Sequence, residues 1–386
     1  MPWVILRKGV AVSATVATAA AVSWLYRQDP AVLSQETPTL TLSDIPTSSG
    51  QLWDCMRFLD ERQQEWNVES NNFPKGSVTK RSCEEPKIQV LRLGSPYPVN
   101  SENGRPAPFM RVVGFLPDVL PEEVFECMTD LQRRKEWDHN YHMFRKWDDS
   151  TETKVLNCLN TVERPIEMVA KKNPICQNNC CVLIPDIRRS VIDYGWFAHR
   201  VGHKLLEQFG IADRLFVYER SSVCYTPLNV DTTNTSLKMY DVLYSGTDEA
   251  VNESNDQSEK FAEWLNLCEK EHDATRVSVN YQHILILPIA DAASQLWSNP
   301  MPLSFGGSMV DKKSTKLVYD AFMNSVRLHK ETKRLDGTLM IMTSANDVQI
   351  PSSVPMWAQR MMASFFSNHA YREMLKAIRS HRKQIQ

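Results

Sequence analysis

The sequence predicts an α+β fold in which one antiparallel sheet is joined by a few segregated helices. The expectation rests on three observations. Candidate elements follow the order helix, two strands, helix, a long series of strands and a final helix, not a regular alternation of strand and helix. The strand candidates are bounded by Gly, Pro, Asn and Asp, as in "KIQVLRL" and "FMRVVGF" around a Gly/Pro/Asn loop. The chain also closes on an apolar helical stripe, "VPMWAQRMMASFF", where a strongly curved antiparallel sheet would leave a hollow for a long helix to close.

The 386 residues carry a formal net charge of -2, with 42% hydrophobic and 23% charged residues, the balance of an ordinary globular protein. A chain this close to neutral makes no case for nucleic acid, which needs a basic patch. Nine cysteines, an odd number and mostly isolated, point to a reducing compartment. The dense group Cys176, Cys180 and Cys181 lacks the second half of a zinc motif and reads as small apolar residues, so no metal or cofactor is expected.

Residues 1–30 form a separate hydrophobic segment. No charge falls between Gly9 and Leu25, Arg7 and Lys8 flank one side, and Arg27 flanks the other. Three readings fit it: a membrane anchor, a mitochondrial presequence, or a secretory signal, the free cysteines arguing against the last. The expected location is membrane-associated with the domain facing the cytosol, mitochondrial or endomembrane. Residues 31–49, rich in Pro, Ser and Thr, read as a linker. The domain then runs over 50–386, with insertions at about 163–210, 245–275 and 297–336.

Within the domain, Leu52, Cys55, Met56 and Leu59 share the spacing of one helix face. Strands are expected at Lys87 to Leu93 and Phe109 to Phe115. A helix then opens at Pro121 with Glu122 and Glu123 at its positive end, and buries Val124, Phe125, Met128 and Leu131. Further strands are expected at Tyr141 to Trp147, Thr153 to Val162, Leu215 to Tyr225, Ser236 to Tyr244, Val277 to Leu287 and Thr338 to Ser344, with a helix around "FAHRVGHKLLEQFG" and an acidic loop over 245–258. In the last helix, Trp357, Ala358, Met361, Met362 and Phe365 fall on one stripe. Tyr371, Met374, Leu375 and Ile378 point about a third of a turn away, which predicts a kink or break near Asn368. An apolar stripe at this spacing is more often core than ligand wall, but Met and aromatic residues suit an adaptable surface. The tail beyond it, with Arg372, Lys376, Arg379, Arg382 and Lys383 against Glu373, suits either anionic lipid headgroups or solvent.

These residues resemble the START (steroidogenic acute regulatory protein-related lipid-transfer) domain. A strand ending in Val113 and Gly114, a helix opening on an acidic turn, and Arg134, Trp137 and Asp138 match the family's first pattern. Asn346, Asp347, Pro355 and Trp357 match its closing motif, without the glycines expected over Val348 to Ser352. Val217, Tyr218 and Arg220 match its central strand, where Asp213 and Arg214 stand in reversed order.

The resemblance implies a helix-grip fold, a curved antiparallel sheet wrapped around a long C-terminal helix that encloses a lipid cavity. It implies that Trp357, Met361, Met362 and Phe365 line and gate that cavity. Arg220 and Asp213 are the expected headgroup contacts, with Tyr218, Tyr281 and His283 as partners; strand alternation sets Tyr281 and His283 on one wall with Val279 and Leu285. The expected function is binding or transfer of one membrane lipid, a phospholipid or sterol, with lipid and membrane surface as partners. A membrane-tethered sensor or contact-site tether is the alternative. No nucleophile elbow, zincin helix or Walker spacing supports an enzyme; "SFGGSMVDKKST" has glycines and lysines without the phosphate-loop arrangement.

Overall fold

The computed structural model describes residues 66–72, 85–94, 109–138, 141–146, 154–155, 183–199, 214–227, 238–246, 275–279, 281–289, 304–305, 308–309, 337–346 and 356–385, with isolated helical positions at 263, 266 and 270. Over 141–146, 183–199, 275–278 and 356–367 the backbone alone is described. Residues 1–65, the linker, Cys176, Cys180, Cys181, Asp213 and the loop 247–258 lie outside the described residues, and with them the expected anchor and first helix.

Eleven strands form one sheet. Its main path runs β1 (Trp66–Asn71), β2 (Lys87–Leu93), β3 (Met110–Pro117), β13 (Gly337–Ala345), β10 (Tyr281–Ile289), β8 (Met239–Ser245), β7 (Arg214–Pro227), β6 (Leu183–His199) and β4 (Tyr141–Lys146). The short β5 (Lys154–Val155) adds to β6, and β9 (Thr275–Ser278) to β7. Every pairing along the main path is antiparallel. A separate two-stranded ribbon, β11 (Ser304–Phe305) with β12 (Ser308–Met309), falls in the expected insertion 297–336.

Several expectations are corrected. The segment 183–199, expected within the insertion 163–210, is a 17-residue strand paired with β7; of the helix expected around 197–210, residues 200–210 lie outside the described residues. The polar stretch "WNVESN", read as nothing in particular, is the edge strand β1. The single strand expected over Val277 to Leu287 is two strands. β6 lies along one side of β7, and β8 reaches only residues 219–225 on the other, so β9 fills the remaining length beside Arg214 to Val217 in parallel. Beyond Val279 the chain continues as β10 beside β8.

The early helical segment is likewise two helices, α1 (Pro121–Thr129) and α2 (Leu131–Trp137). Pro121 occupies the first turn of α1, and the Glu123 carboxylate accepts the Leu120 N–H at 2.7 Å. Asp130 separates the two helices. Its N–H closes the last turn of α1 on the Glu126 carbonyl, while its carboxylate accepts the N–H groups of Gln132 and Arg133, which start α2. An Asp inside a helix readily becomes a cap, because its short side chain competes for backbone donors.

The terminal helix α3 (Met356–Ile385) runs unbroken for 30 residues, about 45 Å. The break expected at Asn368 is absent: that side chain accepts a hydrogen bond from Asn72 Nδ2 at 2.7 Å and does not interrupt its own backbone. Ala370, Tyr371, Met374, Leu375 and Ile378 form the buried stripe of its second half. They join Val124, Cys127, Met128 and Trp137 of α1 and α2 over Ile88, Val90, Val112, Tyr240, Val242, Ile284, Ile286, Met340 and Met342 of the sheet. These three helices therefore pack on one face.

The other face is buried too: every residue of β3 and β13 is buried, against the alternation expected of a half-solvated sheet. Among the described residues, no helix is long and apolar enough to cross a membrane.

Candidate functional site

The last carbonyls of α1 would be orphaned at the helix end, and three side chains satisfy them. Trp137 Nε1 donates to Cys127 O at 3.0 Å, Arg134 Nη1 to Met128 O at 3.4 Å, and Arg220 Nη1 to Thr129 O at 3.1 Å. Arg134 also pairs with Asp138 at 3.2 Å, both buried. The Arg, Trp and Asp of the first motif are thus a clamp that folds α2 back on α1, with two cations at the negative end of a helix. Between them Cys127 is sealed in, and burial pushes its thiol up to about 12, so it is an inert packing group.

Gly114 of the same motif has an equally local reason. A Cβ there would lie 2.0 Å from Cε1 of Tyr371, so the glycine admits the tyrosine ring directly onto β3. The second half of α3 is seated on this contact, and its cations are tied down beyond it. Arg379 donates to the Pro117 carbonyl, Arg382 forks onto the Glu123 carboxylate and lies 3.8 Å from Asp118, and Lys376 pairs with Glu373. Arg372 lies 3.6 Å from Glu85. Four of the tail's cations therefore face carboxylates or carbonyls of the chain itself.

Sheet register assembles a polar row on the face that carries the helices. Arg220 is aligned with Tyr244, Tyr244 with Gln282, Gln282 with Ser344, and Ser344 with Met110. Partners across an antiparallel pair share a face, so these side chains lie side by side. Tyr218 joins them, its ring 5.2 Å from that of Tyr244. The next row inward is Ser222, Val242, Ile284, Met342 and Val112, and the next holds Tyr240, Ile286, Met340 and Gly114. There Phe125 of α1 stacks on Tyr240 at 4.4 Å. The polar row thus sits about 13 Å along the strands from the row on which α1 and α3 are packed.

Within this row, Gln282 is 0% exposed, and neither Nε2 nor Oε1 finds a hydrogen-bond partner among the described residues. The Tyr244 hydroxyl, on a residue 1% exposed, is in the same position. Each such group costs about 1–3 kcal/mol if it stays unpaired, and native proteins hold only a few of them. An apolar wall interrupted by a few convergent polar groups is the usual character of a small-molecule site.

A second polar set occupies the opposite face. Arg111 is aligned with Thr343 and Thr343 with His283. Arg111 stacks over Trp66 at 3.8 Å and donates to Thr343 Oγ1 at 3.3 Å. The Tyr281 hydroxyl lies 3.2 Å from His283 Nδ1, and His283 Nε2 contacts the Asp241 carboxylate. Because an ionised carboxylate can only accept, His283 Nε2 donates to Asp241.

The structure therefore divides the nine site residues expected from sequence. Tyr218 and Arg220 meet on the helix-bearing face. Tyr281 and His283 do stand together, but on the other face, away from α3. Val279 does not share their wall, because it lies between β9 and β10, outside the alternation of either strand; it belongs to the helix-side cluster. Trp357, Met361, Met362 and Phe365 lie in the first half of α3, where the backbone alone is described, and Asp213 lies outside the described residues. Gln282 and Tyr244 were missed. Alternation in "YQHILIL" shows that Gln282 faces opposite His283, and only the strand order shows which face holds the helices.

No family model matches the sequence, and no curated protein matches it. Among the solved chains, 26 match. One is the crystal structure of human STARD10, 12% identical over 90% of this chain and 86% of that one, with a TM-score of 0.41.

Proposed function

We propose that this protein is a lipid carrier that holds one membrane lipid, a phospholipid or sterol, between the helix-bearing face of the sheet and α3. The observation that carries the proposal is the fully buried Gln282 carboxamide, without a hydrogen-bond partner among the described residues, beside Tyr244 and next to the apolar row of Val242, Ile284 and Met342. The motifs resembling the START domain and the packing of a 30-residue terminal helix on that face agree with it.

In this reading the second half of α3 is the fixed half, seated on Gly114 and tied at Arg379 and Arg382. The first half, bearing Trp357, Met361, Met362 and Phe365, forms the cover and moves to load and release. Arg220 and Tyr218 stand near the polar end of the ligand. Tyr281 and His283 support the sheet from behind.

The energetics favour a carrier. Exposing an acyl chain to water costs roughly 0.8 kcal/mol per methylene, so a two-chain lipid meets a barrier on the order of 20 kcal/mol. Replacing the bilayer with an apolar wall removes most of that barrier without any chemical step.

Mass spectrometry of the purified full chain should find a stoichiometric lipid, and the protein should move lipid between liposomes. Absence of both would overturn the proposal. Phe365→Asp or Met361→Asp should abolish transfer while leaving the circular dichroism spectrum unchanged; global unfolding would mark the stripe as ordinary core.

The hydrophobic segment 1–30 favours a second reading, a membrane-tethered lipid sensor or contact-site tether, with the domain on the cytosolic side of a mitochondrial or endomembrane surface. N-terminal sequencing of native protein separates the two. A retained segment limits the domain to membranes within linker reach, and a cleaved one frees it to shuttle.

A further inference from the structure

We infer that the polar row on the helix-bearing face selects a neutral amphiphile whose polar end donates a hydrogen bond, a hydroxyl or amide N–H, over a phosphodiester lipid. The inference rests on the carrier reading and names its ligand class.

The deciding group is the carboxamide oxygen of Gln282. It is an acceptor, it is fully buried, and it has no partner among the described residues. Only a donor can satisfy it. A phosphodiester with a choline headgroup brings acceptor oxygens and a quaternary ammonium but no N–H or O–H, so it would leave Oε1 unpaired. A hydroxyl both donates and accepts, and so it can serve Oε1 and Nε2 in turn. An amide does the same with its N–H and C=O.

The neighbours agree. The Tyr244 hydroxyl, aligned with Gln282 across the β8–β10 pair, is a second unpartnered group able to give or take a hydrogen bond. Charge points the same way. Along the described row the only formal cation is Arg220, and its Nη1 already donates to the Thr129 carbonyl. Dedicated phosphate sites gather several cations or backbone donors around the anion, and this row has no such cluster. A polar group that must be matched discriminates far more strongly against ligands lacking the match than an apolar wall discriminates by size.

The test uses the full chain and phosphatidylcholine vesicles doped, in separate arms, with cholesterol, a diacylglycerol, a ceramide or phosphatidylethanolamine. After re-isolation, protein-bound lipid is quantified by mass spectrometry. At least one of the three neutral lipids should be enriched over both phospholipids, and its analogue stripped of donors, the acetate of the sterol or diacylglycerol or the N-methylated and O-acetylated ceramide, should bind roughly tenfold more weakly. Gln282→Leu should reduce the preference by a similar factor. Tyr244→Phe serves as the second variant if the first does not fold.

Preference for either phospholipid, equal uptake of the acetylated lipid, or an unchanged profile in the variants would overturn the inference and leave the carrier reading standing. If wild-type protein takes up no lipid in any arm, the carrier reading itself falls. The acetylated-lipid arm needs no mutation, so a misfolding variant cannot leave the question open.

Discussion

Tyr371 packs directly against Gly114: the space a Cβ would occupy on β3 is filled by the tyrosine ring, 2.0 Å from its Cε1. This contact seats the long terminal helix on the sheet. Gly114→Ala should destabilise the domain by about 3 kcal/mol or more, because ring and strand must separate. Combining it with Tyr371→Leu should recover much of the loss, a non-additivity that denaturant titration of the single and double variants would measure.

The hydroxyl of the same tyrosine has no hydrogen-bond partner among the described residues, and complete burial pushes its pKa far above the usual phenol range. Tyr371→Phe removes a desolvated polar atom and keeps the ring. We expect it to stabilise the fold by about 1 kcal/mol. A lower melting temperature would show that the hydroxyl has a partner of consequence.

Asp130 ends one helix and starts the next, its carboxylate accepting two N–H groups of α2. Asp130→Ala should cost about 1 kcal/mol, whereas Asp130→Asn or Asp130→Ser should cost only a fraction of that, because both still accept at the cap. Thermal unfolding of the three variants checks the order.

Glu219 on β7 is half-buried, and burial raises its carboxyl above the ordinary value. A raised acid binds its proton more tightly folded than unfolded, so stability falls as pH rises from the unfolded pKa through the folded one. The penalty is complete above the folded pKa and absent in acid. Glu219→Gln should therefore stabilise the protein at pH 7, and that gain should vanish below about pH 4, where glutamate is protonated in both states. Chemical denaturation at the two pH values reads the difference.

His283 and Asp241 form a buried pair on the face turned away from the helices. Asp241→Asn keeps the shape and removes the charge, and should cost about 1.5–3 kcal/mol. Lipid uptake per folded molecule should not change, because the pair lies behind the sheet. A loss of uptake without loss of stability would place the pair at the ligand instead.

Local chemistry was legible wherever the residues themselves set the structure. Residues 87–93 carry Ile88, Val90, Leu91 and Leu93 between Pro86 and Gly94, and the strand has those bounds. Pro121 with its two glutamates marks a helix start, and the structure begins α1 there. Tyr371, Met374, Leu375 and Ile378 are spaced as one helix face, and all four are buried. Their spacing or conformational preference depends on near neighbours, so the sequence alone determined them, together with the α+β class and the terminal helix.

Tertiary structure decided the rest. β6 is a strand through pairing with β7 over nearly its whole length, and β9 exists because β8 leaves part of the β7 edge uncovered. Asn368 sits within the continuous α3, its side chain bonded to Asn72, 296 positions away in the chain. The strand order also parted Tyr281 and His283 from Tyr218 and Arg220 and set Gln282 beside Tyr244. Alternation tells which residues share a face, but which face meets the helices depends on hydrogen bonds between strands far apart in the chain, and no local pattern encodes that choice.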